Sequence, residues 1–460
     1  MKQFLFVTLG LLAAFSAQSQ EIAGQWFGSL TVQGVQMRLV FNITQSASGY
    51  SATLDSPDQG AKGIPVSSTT YNKPVLKLSA DALQLTYTGE LKGDSIIGTF
   101  RQGGFSLPMN LGRKEVEKKA VSRPQEPSKP YPYRSEDVHF ENAKAGVTLA
   151  GTLTLPGEEG VFPAVILISG SGPQNRDEEL MGHKPFLVLS DYLTRNGIAV
   201  LRYDDRGTAG STGDFKTATS LDFATDVEAA LSFLHSRKEI NRQKIGLVGH
   251  SEGGLIAPLI AQKSGDVSYV VLLAAPGLRG DELLLMQTEL IGKSSGVSDA
   301  ELQKAKELNK KAFAIVTGTP QPDAAKEALA GYFKSNLQGR PAGMSEEAYV
   351  KAQVDQLTSP WLTFFLRHDP APVLEQVRCP VLALNGEMDL QVPAGANLEA
   401  IRKALEKGGN RNVTARALPG LNHLFQECKT GSPNEYATIE QTFSPAALSA
   451  VTTWIQQQTK

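Results

Sequence analysis

Nearly unbroken apolar runs, separated by polar turns, dominate the second part of the chain. One such run covers 163–168, and others end at 203, 249, 273 and 384; the stretch 413–418 completes the set of expected strands. Runs of this kind are typical of strands buried on both faces, as in a parallel sheet. Stretches with helical spacing lie between them, as in Phe223, Val227, Leu231 and Leu234. From about 134 to 460 the pattern therefore predicts an α/β fold with a mostly parallel sheet.

The alternation of strand and helix stops between about 275 and 379. Four helical patterns replace it, at 282–292, 299–316, 323–336 and 346–357. A helical insertion that leaves the carboxyl edge of a parallel sheet lies over the place where ligands bind. We therefore predict a helical cap at about 278–372. The alternative is a peripheral insertion without a role in catalysis.

Short runs that alternate apolar with polar residues fill 21–114, with glycine, proline, asparagine and aspartate between them. This spacing predicts a small antiparallel β barrel or sandwich that serves as a folding or docking module. A charged and proline-rich stretch at 115–133 follows and is typical of an extended linker. Domain boundaries are therefore expected near 21, 114 and 134.

The first twenty residues have the pattern of a signal peptide. Lys2 precedes a nearly apolar run up to Phe15, and Ala17-Gln18-Ser19 fits a small-x-small cleavage site. The run is short for a membrane span, so no stable membrane insertion is expected once the signal is removed. We expect a periplasmic or secreted protein.

Composition restricts the function further. The chain has 460 residues, 41% hydrophobic and 20% charged, with a formal net charge of -2. Without a basic block it is not expected to bind nucleic acid. No histidine or cysteine set has metal-site spacing, so neither a metal nor a cofactor is expected. Cys379 and Cys428 should lie about 20 Å apart, at opposite ends of a strand, and stay unpaired. The oligomeric state stays open.

The chemistry centres on Gly249-His250-Ser251-Glu252-Gly253, between an apolar strand and an apolar helix. In the pattern G-x-S-x-G the serine occupies a sharp turn, and the small glycines let strand and helix pass closely. Ser251 is therefore the candidate nucleophile. The backbone N–H of Glu252, at a helix N-terminus, is a candidate oxyanion donor. His250 is expected to pack or orient, and the Glu252 carboxylate to form a wall of the site.

Two further segments complete a resemblance to the α/β-hydrolase superfamily over about 134–460. Gly386-Glu387-Met388-Asp389-Leu390-Gln391-Val392-Pro393 resembles its acid segment, and Leu418-Pro419-Gly420-Leu421-Asn422-His423 its histidine segment. The resemblance implies His423 as general base and Asp389 as its acid partner, with Glu387 as a rival. The order serine, acid, histidine is that of the family.

Two loops extend this resemblance. Residues 202–211 are similar to the family's R-x-D-x-R-G-x-G-x-S turn, where we expect Asp204 and Asp205 to fix the turn with Arg206. Residues 170–177, Gly-Ser-Gly-Pro-Gln-Asn-Arg-Asp, are similar to a branch of bacterial carboxylesterases. Ser169-Gly170 stands where the family usually has His-Gly. The backbone N–H of Ser171 is the implied second oxyanion donor, and Gly172 the implied substrate contact.

The densest apolar cluster of the predicted cap lies at 361–366. Trp361, Phe364 and Phe365 either bury the cap against the core or line an acyl pocket. Together these features predict a serine carboxylesterase that acts on a small-molecule ester. A serine peptidase or aminopeptidase of the same fold is one alternative, because the same triad cleaves amides. A surface glycan-binding protein with accessory esterase activity is the other.

Overall fold

The computed structural model describes residues 21–32, 35–47, 49–102, 105–117, 122–337, 339–340 and 344–460. The predicted signal peptide at 1–20 lies outside the described residues. The chain divides into two compact units near residue 120. Among the helices within the described ranges, none is long and apolar enough to span a membrane.

The first unit is a ten-stranded sheet with antiparallel pairing, in the order β4-β3-β2-β1-β10-β8-β7-β6-β5, with β9 paired to β8. Its strands are β1 (Gly24–Val32), β2 (Val35–Ser46), β3 (Gly49–Ser56), β4 (Ala61–Pro65), β5 (Ser68–Asn72), β6 (Val75–Ala80), β7 (Leu85–Lys92), β8 (Ser95–Gln102), β9 (Phe105–Pro108) and β10 (Leu111–Gly112). β5 lies beside β3, so the sheet curls back on itself. Trp26, Phe41 and Tyr87 fill the core on its inner face. The predicted antiparallel β domain is confirmed.

The second unit contains an eight-stranded sheet in the order β11-β12-β14-β13-β15-β16-β17-β18. Its strands are β11 (Arg134–Asn142), β12 (Val147–Leu155), β13 (Phe162–Ile168), β14 (Ala199–Tyr203), β15 (Ile240–His250), β16 (Tyr269–Leu273), β17 (Val381–Gly386) and β18 (Val413–Leu418). β11 and β12 pair antiparallel with their neighbours, and all later pairs are parallel. The predicted mostly parallel sheet is confirmed.

Helices cover both faces of this sheet. They are α1 (Pro185–Arg195), α2 (Ser220–Ser236), α3 (Glu252–Ala261), α10 (Ala394–Lys407) and α11 (Pro445–Gln458). This arrangement accounts for the apolar run in the central strand β13. Ala164, Ile166 and Ile168 face the side of α2, α3 and α10. Val165 and Leu167 face the opposite side, with α1 and α11. Both strand faces are thus dry, which requires apolar residues at consecutive positions.

Between β16 and β17, where the cap was predicted, the described residues form six helices. They are α4 (Gly280–Ser294), α5 (Asp299–Gly318), α6 (Pro322–Lys334), α7 (Glu346–Leu357), α8 (Pro360–Arg367) and α9 (Ala371–Leu374). Phe313, Leu329, Phe333 and Leu366 give this insertion a small core of its own. α8 lies outside the four predicted helices, although Ser359-Pro360 is a typical helix start. The Ser359 hydroxyl indeed accepts a hydrogen bond from the Leu362 N–H at 3.4 Å.

The later part of the expected linker lies on the second unit. The Arg123 guanidinium donates to the carbonyls of Gly182, Ala437 and Ile439 at 2.9, 2.8 and 2.7 Å. Gln125 bonds the backbone of Phe443 through both its amide nitrogen and its amide oxygen. Hydrogen bonds from a charged guanidinium are stronger than those between neutral groups. Arg123 can therefore fix this segment, although the segment has little apolar surface to bury. From Ser122 onwards the segment is thus held by polar contacts rather than by a core of its own.

Candidate functional site

Ser251 occupies the sharp turn between β15 and α3. Its backbone has φ 50° and ψ -117°, a conformation that non-glycine residues rarely adopt. Crowding imposes the turn: a Cβ on Gly249 would lie 2.1 Å from the Gly253 carbonyl oxygen, and one on Gly253 would lie 2.1 Å from the Ile168 carbonyl oxygen. The Ser251 N–H donates to the Leu273 carbonyl at 2.8 Å, which ties the turn to β16. The serine is therefore held at the carboxyl edge of the sheet.

His423 and Asp389 form a buried pair at the same edge. The His423 Nδ1 lies 2.7 Å from the Asp389 Oδ2. The other carboxylate oxygen accepts the N–H groups of Gln391 and Val392 at 2.8 and 2.9 Å, which fixes the orientation of the carboxylate. Glu387, the rival acid, is exposed. The ring nitrogen Nε2 of His423 is thus left for chemistry, as in a nucleophile–histidine–acid arrangement.

His250 connects the turn to the histidine loop. Its Nε2 lies 3.0 Å from the backbone oxygen of His423, and the two rings have centroids 4.9 Å apart. The Ser251 side chain makes no capping hydrogen bond to α3, so its hydroxyl is not committed to the helix. In a free enzyme, hydrogen bonds between catalytic groups are often long and tighten only when substrate binds.

Glu178 is a buried acid beside His250. No motif in the sequence indicates that this residue belongs to the site. Its Oε1 lies 2.9 Å from the His250 Nδ1 and accepts the Gly170 N–H at 2.7 Å. Burial disfavours a charged His250 ring, but the carboxylate beside it and its hydrogen bonds hold the pKa of His250 above its ordinary value. In the sequence, Glu178 is one of several charged residues in a polar loop, a pattern that usually marks an exposed segment.

The two predicted oxyanion donors, the backbone N–H groups of Glu252 and Ser171, differ in their surroundings. Glu252 is the first residue of α3, so its N–H has no acceptor inside the helix and lies at the positive end of the helix dipole. The Gly170 N–H is already bound by Glu178. Gly170 also passes close to the serine, since a Cβ there would lie 3.3 Å from the Ser251 Cβ. Ser171, the next residue and the predicted donor, is exposed.

The Glu252 carboxylate binds a tryptophan of the cap. Trp361 Nε1 lies 2.9 Å from each carboxylate oxygen, and the Ser220 hydroxyl donates to Oε1 at 2.5 Å. Burial raises the pKa of Glu252, and the two hydrogen bonds oppose that rise. The expected wall residue is therefore also the contact that connects α3 with α8.

The charged residues in the turn after β14 have other partners than expected. Asp204 bonds Arg176, Asp205 accepts the Ser169 hydroxyl at 2.8 Å, and Arg206 binds Asp226 at 2.7 Å. Asp204 does hold the turn, since its Oδ2 also accepts the Gly210 N–H at 3.1 Å. Arg206 instead binds Asp226 on α2, so the two aspartates hold the turn through other partners than Arg206. Burial raises the pKa of Asp205 to about 8, with hydrogen bonds opposing it and the charges of Glu252 and Glu178 adding to it.

The predicted substrate contacts fall into two groups. Gly172 lines a narrow cleft beside the elbow, together with Ser169, Gly170, Asp205 and Glu252. Of the cap aromatics, Phe365 is 6% exposed and packs into the sheet core, whereas Phe364 and Trp361 are partly buried against it. Trp361 stacks on Phe365 with centroids 5.3 Å apart, and Phe364 stacks on His368 at 5.0 Å.

Cysteines and candidate metal ligands add nothing to the site. Cys379 and Cys428 are both free, as predicted. Within the described ranges, no group of three histidine, cysteine, aspartate or glutamate side chains is arranged to hold a metal ion.

Comparison with known proteins gives three kinds of similarity. A family model described as serine aminopeptidase, S33, matches residues 185–324. Esterase EstD of Thermotoga maritima is 29% identical over 284 residues, which are 60% of this chain and 58% of EstD. The match thus spans less than two thirds of that relative. The Pyrococcus furiosus esterase Pf2001 is 17% identical, with a TM-score of 0.44 over 75% of this chain and 100% of its own. Est1E from Butyrivibrio proteoclasticus is 16% identical, with a TM-score of 0.40 over 70% and 96%.

Proposed function

From the premise that this chain has the α/β-hydrolase fold, we propose that it is a serine hydrolase that cleaves carboxylic esters of small molecules. The observation that carries the proposal is the strained turn at Ser251, next to the 2.7 Å pair of His423 and Asp389. A serine held at positive φ, near a histidine oriented by a buried carboxylate, fits acyl transfer. The name of the similar esterase EstD agrees with this chemistry.

The first half of the reaction forms an acyl-enzyme. The Ser251 Oγ attacks the ester carbonyl carbon while His423 Nε2 takes the hydroxyl proton. Asp389 accepts the Nδ1–H and stabilises the imidazolium that forms. The negative charge on the former carbonyl oxygen is met by the N–H groups of Glu252 and Ser171. When the tetrahedral intermediate collapses, the alcohol leaves with the proton from His423.

The second half returns the enzyme to its starting state. Water attacks the acyl carbon, and His423 takes one of its protons as general base. The new tetrahedral intermediate uses the same two N–H donors. It then expels the Ser251 oxygen, which regains its proton from His423, and the carboxylic acid departs. Every proton that is taken up is given back, so the cycle needs protein groups and water only.

Amide cleavage at the same triad is the second candidate. It is favoured by the match of residues 185–324 to a family described as serine aminopeptidases. The two candidates differ in the leaving group, because an amine must be protonated before it departs. A panel of p-nitrophenyl esters and aminoacyl anilides on the purified protein separates them: faster turnover of esters supports the first candidate, and faster turnover of anilides the second.

Export belongs to the same proposal. The basic and apolar segment before Gln20 supports translocation across a membrane and cleavage near Gln20 or Glu21. We therefore place the enzyme in the periplasm or outside the cell. Cell fractionation with N-terminal sequencing tests this: protein that begins near Gln20 or Glu21 should appear in the periplasm or the medium, whereas protein with an intact Met1 found only in the cytoplasm would contradict export.

The decisive experiment replaces the nucleophile. Ser251→Ala should lower kcat for ester hydrolysis by several orders of magnitude, because loss of a triad member removes covalent catalysis. The melting temperature should stay close to that of the wild type. A fluorophosphonate probe should label the wild type at Ser251 and leave the variant unlabelled. A folded variant that keeps a tenth of the wild-type turnover would refute the assignment.

A further inference from the structure

We infer that Glu178 is a positioning residue for the proposed esterase reaction, because its carboxylate links the three loops that carry nucleophile, base and oxyanion donor. The inference rests on the proposed function. It assigns to Glu178 no contact with substrate. Its role is to hold the groups that do make contact at their working distances.

The first two links meet at a single oxygen. Oε1 of Glu178 accepts the Gly170 N–H at 2.7 Å and lies 2.9 Å from the His250 Nδ1. Gly170 directly precedes Ser171, the proposed oxyanion donor, and His250 directly precedes Ser251. One carboxylate oxygen thus sets the separation between the oxyanion loop and the nucleophile turn.

The third link passes through the His250 ring. Its Nε2 lies 3.0 Å from the backbone oxygen of His423. A carbonyl oxygen only accepts, so Nε2 must carry a hydrogen and donate it. The remaining ring nitrogen, Nδ1, then faces the Glu178 carboxylate. The chain of contacts from Gly170 through Glu178 and His250 to His423 is therefore continuous.

The surroundings hold Glu178 in place. Glu178 is only 3% exposed. Its backbone φ is 50°, a conformation that is strained for a residue other than glycine. Its N–H donates to the Asn175 carbonyl at 2.8 Å. On the same loop, the Arg176 N–H donates to Asp204 Oδ1 at 2.7 Å. A buried carboxylate on a strained backbone is costly, so it needs partners that stabilise it. Here these partners are the Gly170 N–H and the His250 ring.

Loss of this link should affect turnover more than binding. Without the carboxylate, the turn at Ser251 and the loop at His423 lose their common support, although each remains in place through its own backbone contacts. A misplacement of about 1 Å between reacting groups can cost about a hundredfold in rate. Because Glu178 is assigned no contact with substrate, KM should change less than kcat.

The test compares Glu178→Ala, Glu178→Gln and the control Glu179→Ala in the full-length protein with p-nitrophenyl acetate. Glu179 lies on the same loop but is exposed, with Asn175 as its partner. We expect kcat of Glu178→Ala to fall about a hundredfold, with KM nearly unchanged and slower fluorophosphonate labelling of Ser251. Glu178→Gln keeps the shape and an acceptor oxygen, so most of kcat should return. Glu179→Ala should behave like the wild type.

Two results would overturn the inference. One is a Glu178→Ala protein with wild-type kcat, and the other is a Glu178→Gln protein as slow as Glu178→Ala at an unchanged melting temperature. If Glu178→Ala does not fold, Glu178→Asp carries the test: it keeps the carboxylate but draws it back from the Gly170 N–H and the His250 Nδ1, so kcat should again fall with KM nearly unchanged, and a wild-type kcat would overturn the inference. Failure of the proposed function looks different: the wild type would not hydrolyse esters, or Ser251→Ala would leave hydrolysis unchanged.

Discussion

Three carboxyl side chains near the elbow are buried, which makes their charged forms costly. Asp205, Glu178 and Glu252 are all less than 10% exposed and lie within the same part of the second unit. Glu178 has His250 beside it. In the described part of the chain, Asp205 accepts from neutral donors only, the Ser169 hydroxyl and the Gln174 N–H. A buried carboxyl without a cationic partner is more stable in its protonated form.

Asp205 should therefore make the folded state less stable as the pH rises. Between the unfolded pKa of about 4 and the folded pKa of about 8, the folded protein keeps a proton that the unfolded chain has released. The contribution of this proton to the free energy of unfolding is fully present below about pH 4 and is lost as the pH rises to about 8. In Asp205→Asn, the decline of the melting temperature from pH 5 to pH 8.5 should be smaller than in the wild type. Equal slopes in the two proteins would contradict this.

At the scale of elements, α8 is the part of the cap that meets the sheet core. Its Phe365 is buried in that core, and its Leu362 and Leu366 belong to the core of the cap. An eight-residue helix has little stability of its own, so its position depends on this packing on two sides.

The two phenylalanines of α8 should respond differently to truncation. Phe365→Ala should cost about 3–5 kcal/mol of unfolding free energy, the usual loss for a buried phenylalanine. Phe364 is partly buried and stacks on His368, so Phe364→Ala should cost less. If Phe364 lines the acyl pocket, the same change shifts the preference towards longer acyl chains. Thermal midpoints and an acyl-chain series measure both effects. A large loss of stability in Phe364→Ala without a change of preference would make that residue part of the core.

The hydrogen bond between Trp361 and Glu252 should couple the cap to α3. Trp361→Phe keeps a ring that can stack on Phe365 but removes the donor from both oxygens of a buried carboxylate. A double-mutant cycle with Glu252→Ala, which removes the acceptor, should give a coupling energy of about 0.5–3 kcal/mol in urea unfolding. Trp454→Phe, at a ring contact with Tyr269, is the matched control and should show no coupling. Independent effects of Trp361 and Glu252 would exclude the proposed connection.

At the scale of the whole molecule, the second unit contains its own sheet and core, and the segment from Ser122 is bound to it. The partners of Arg123, the carbonyls of Ala437 and Ile439, lie shortly after the histidine loop in the sequence. Tyr133 adds a hydrogen bond to Asp191 on α1 at 2.9 Å. The anchors are therefore internal to the second unit.

Two truncated proteins separate the role of the anchors from that of the β domain. A protein of residues 122–460 should fold and keep ester hydrolysis, because it retains both the core and the anchors. A protein of residues 134–460 should melt at a lower temperature, because the backbone groups bound by Arg123 and Gln125 lose their charged or polar partners. Circular dichroism melting and a p-nitrophenyl ester assay give the comparison. Loss of hydrolysis in the longer protein would assign the β domain a part in activity.

Local patterns determined the strands and the order of the candidate residues. The apolar runs that end at 168, 203 and 273 in the sequence end where β13, β14 and β16 end in the structure. Burial on both faces leaves a continuous apolar run, which is a property of neighbouring residues alone. The elbow is equally local, since the clash that requires Gly249 and Gly253 arises within a few residues of Ser251 and at the adjoining strand β13.

Only the tertiary structure decided which polar groups meet. His250 and Glu178 are 72 residues apart, Trp361 and Glu252 are 109 apart, and Arg123 and Ile439 are 316 apart. A charged residue in a polar loop has the same local pattern whether it is solvated or buried. Its partner is set by which loops the sheet order brings to one edge, and that depends on the packing of the whole unit. For this reason Ser251, Asp389 and His423 could be predicted from motifs, whereas the support by Glu178 could not.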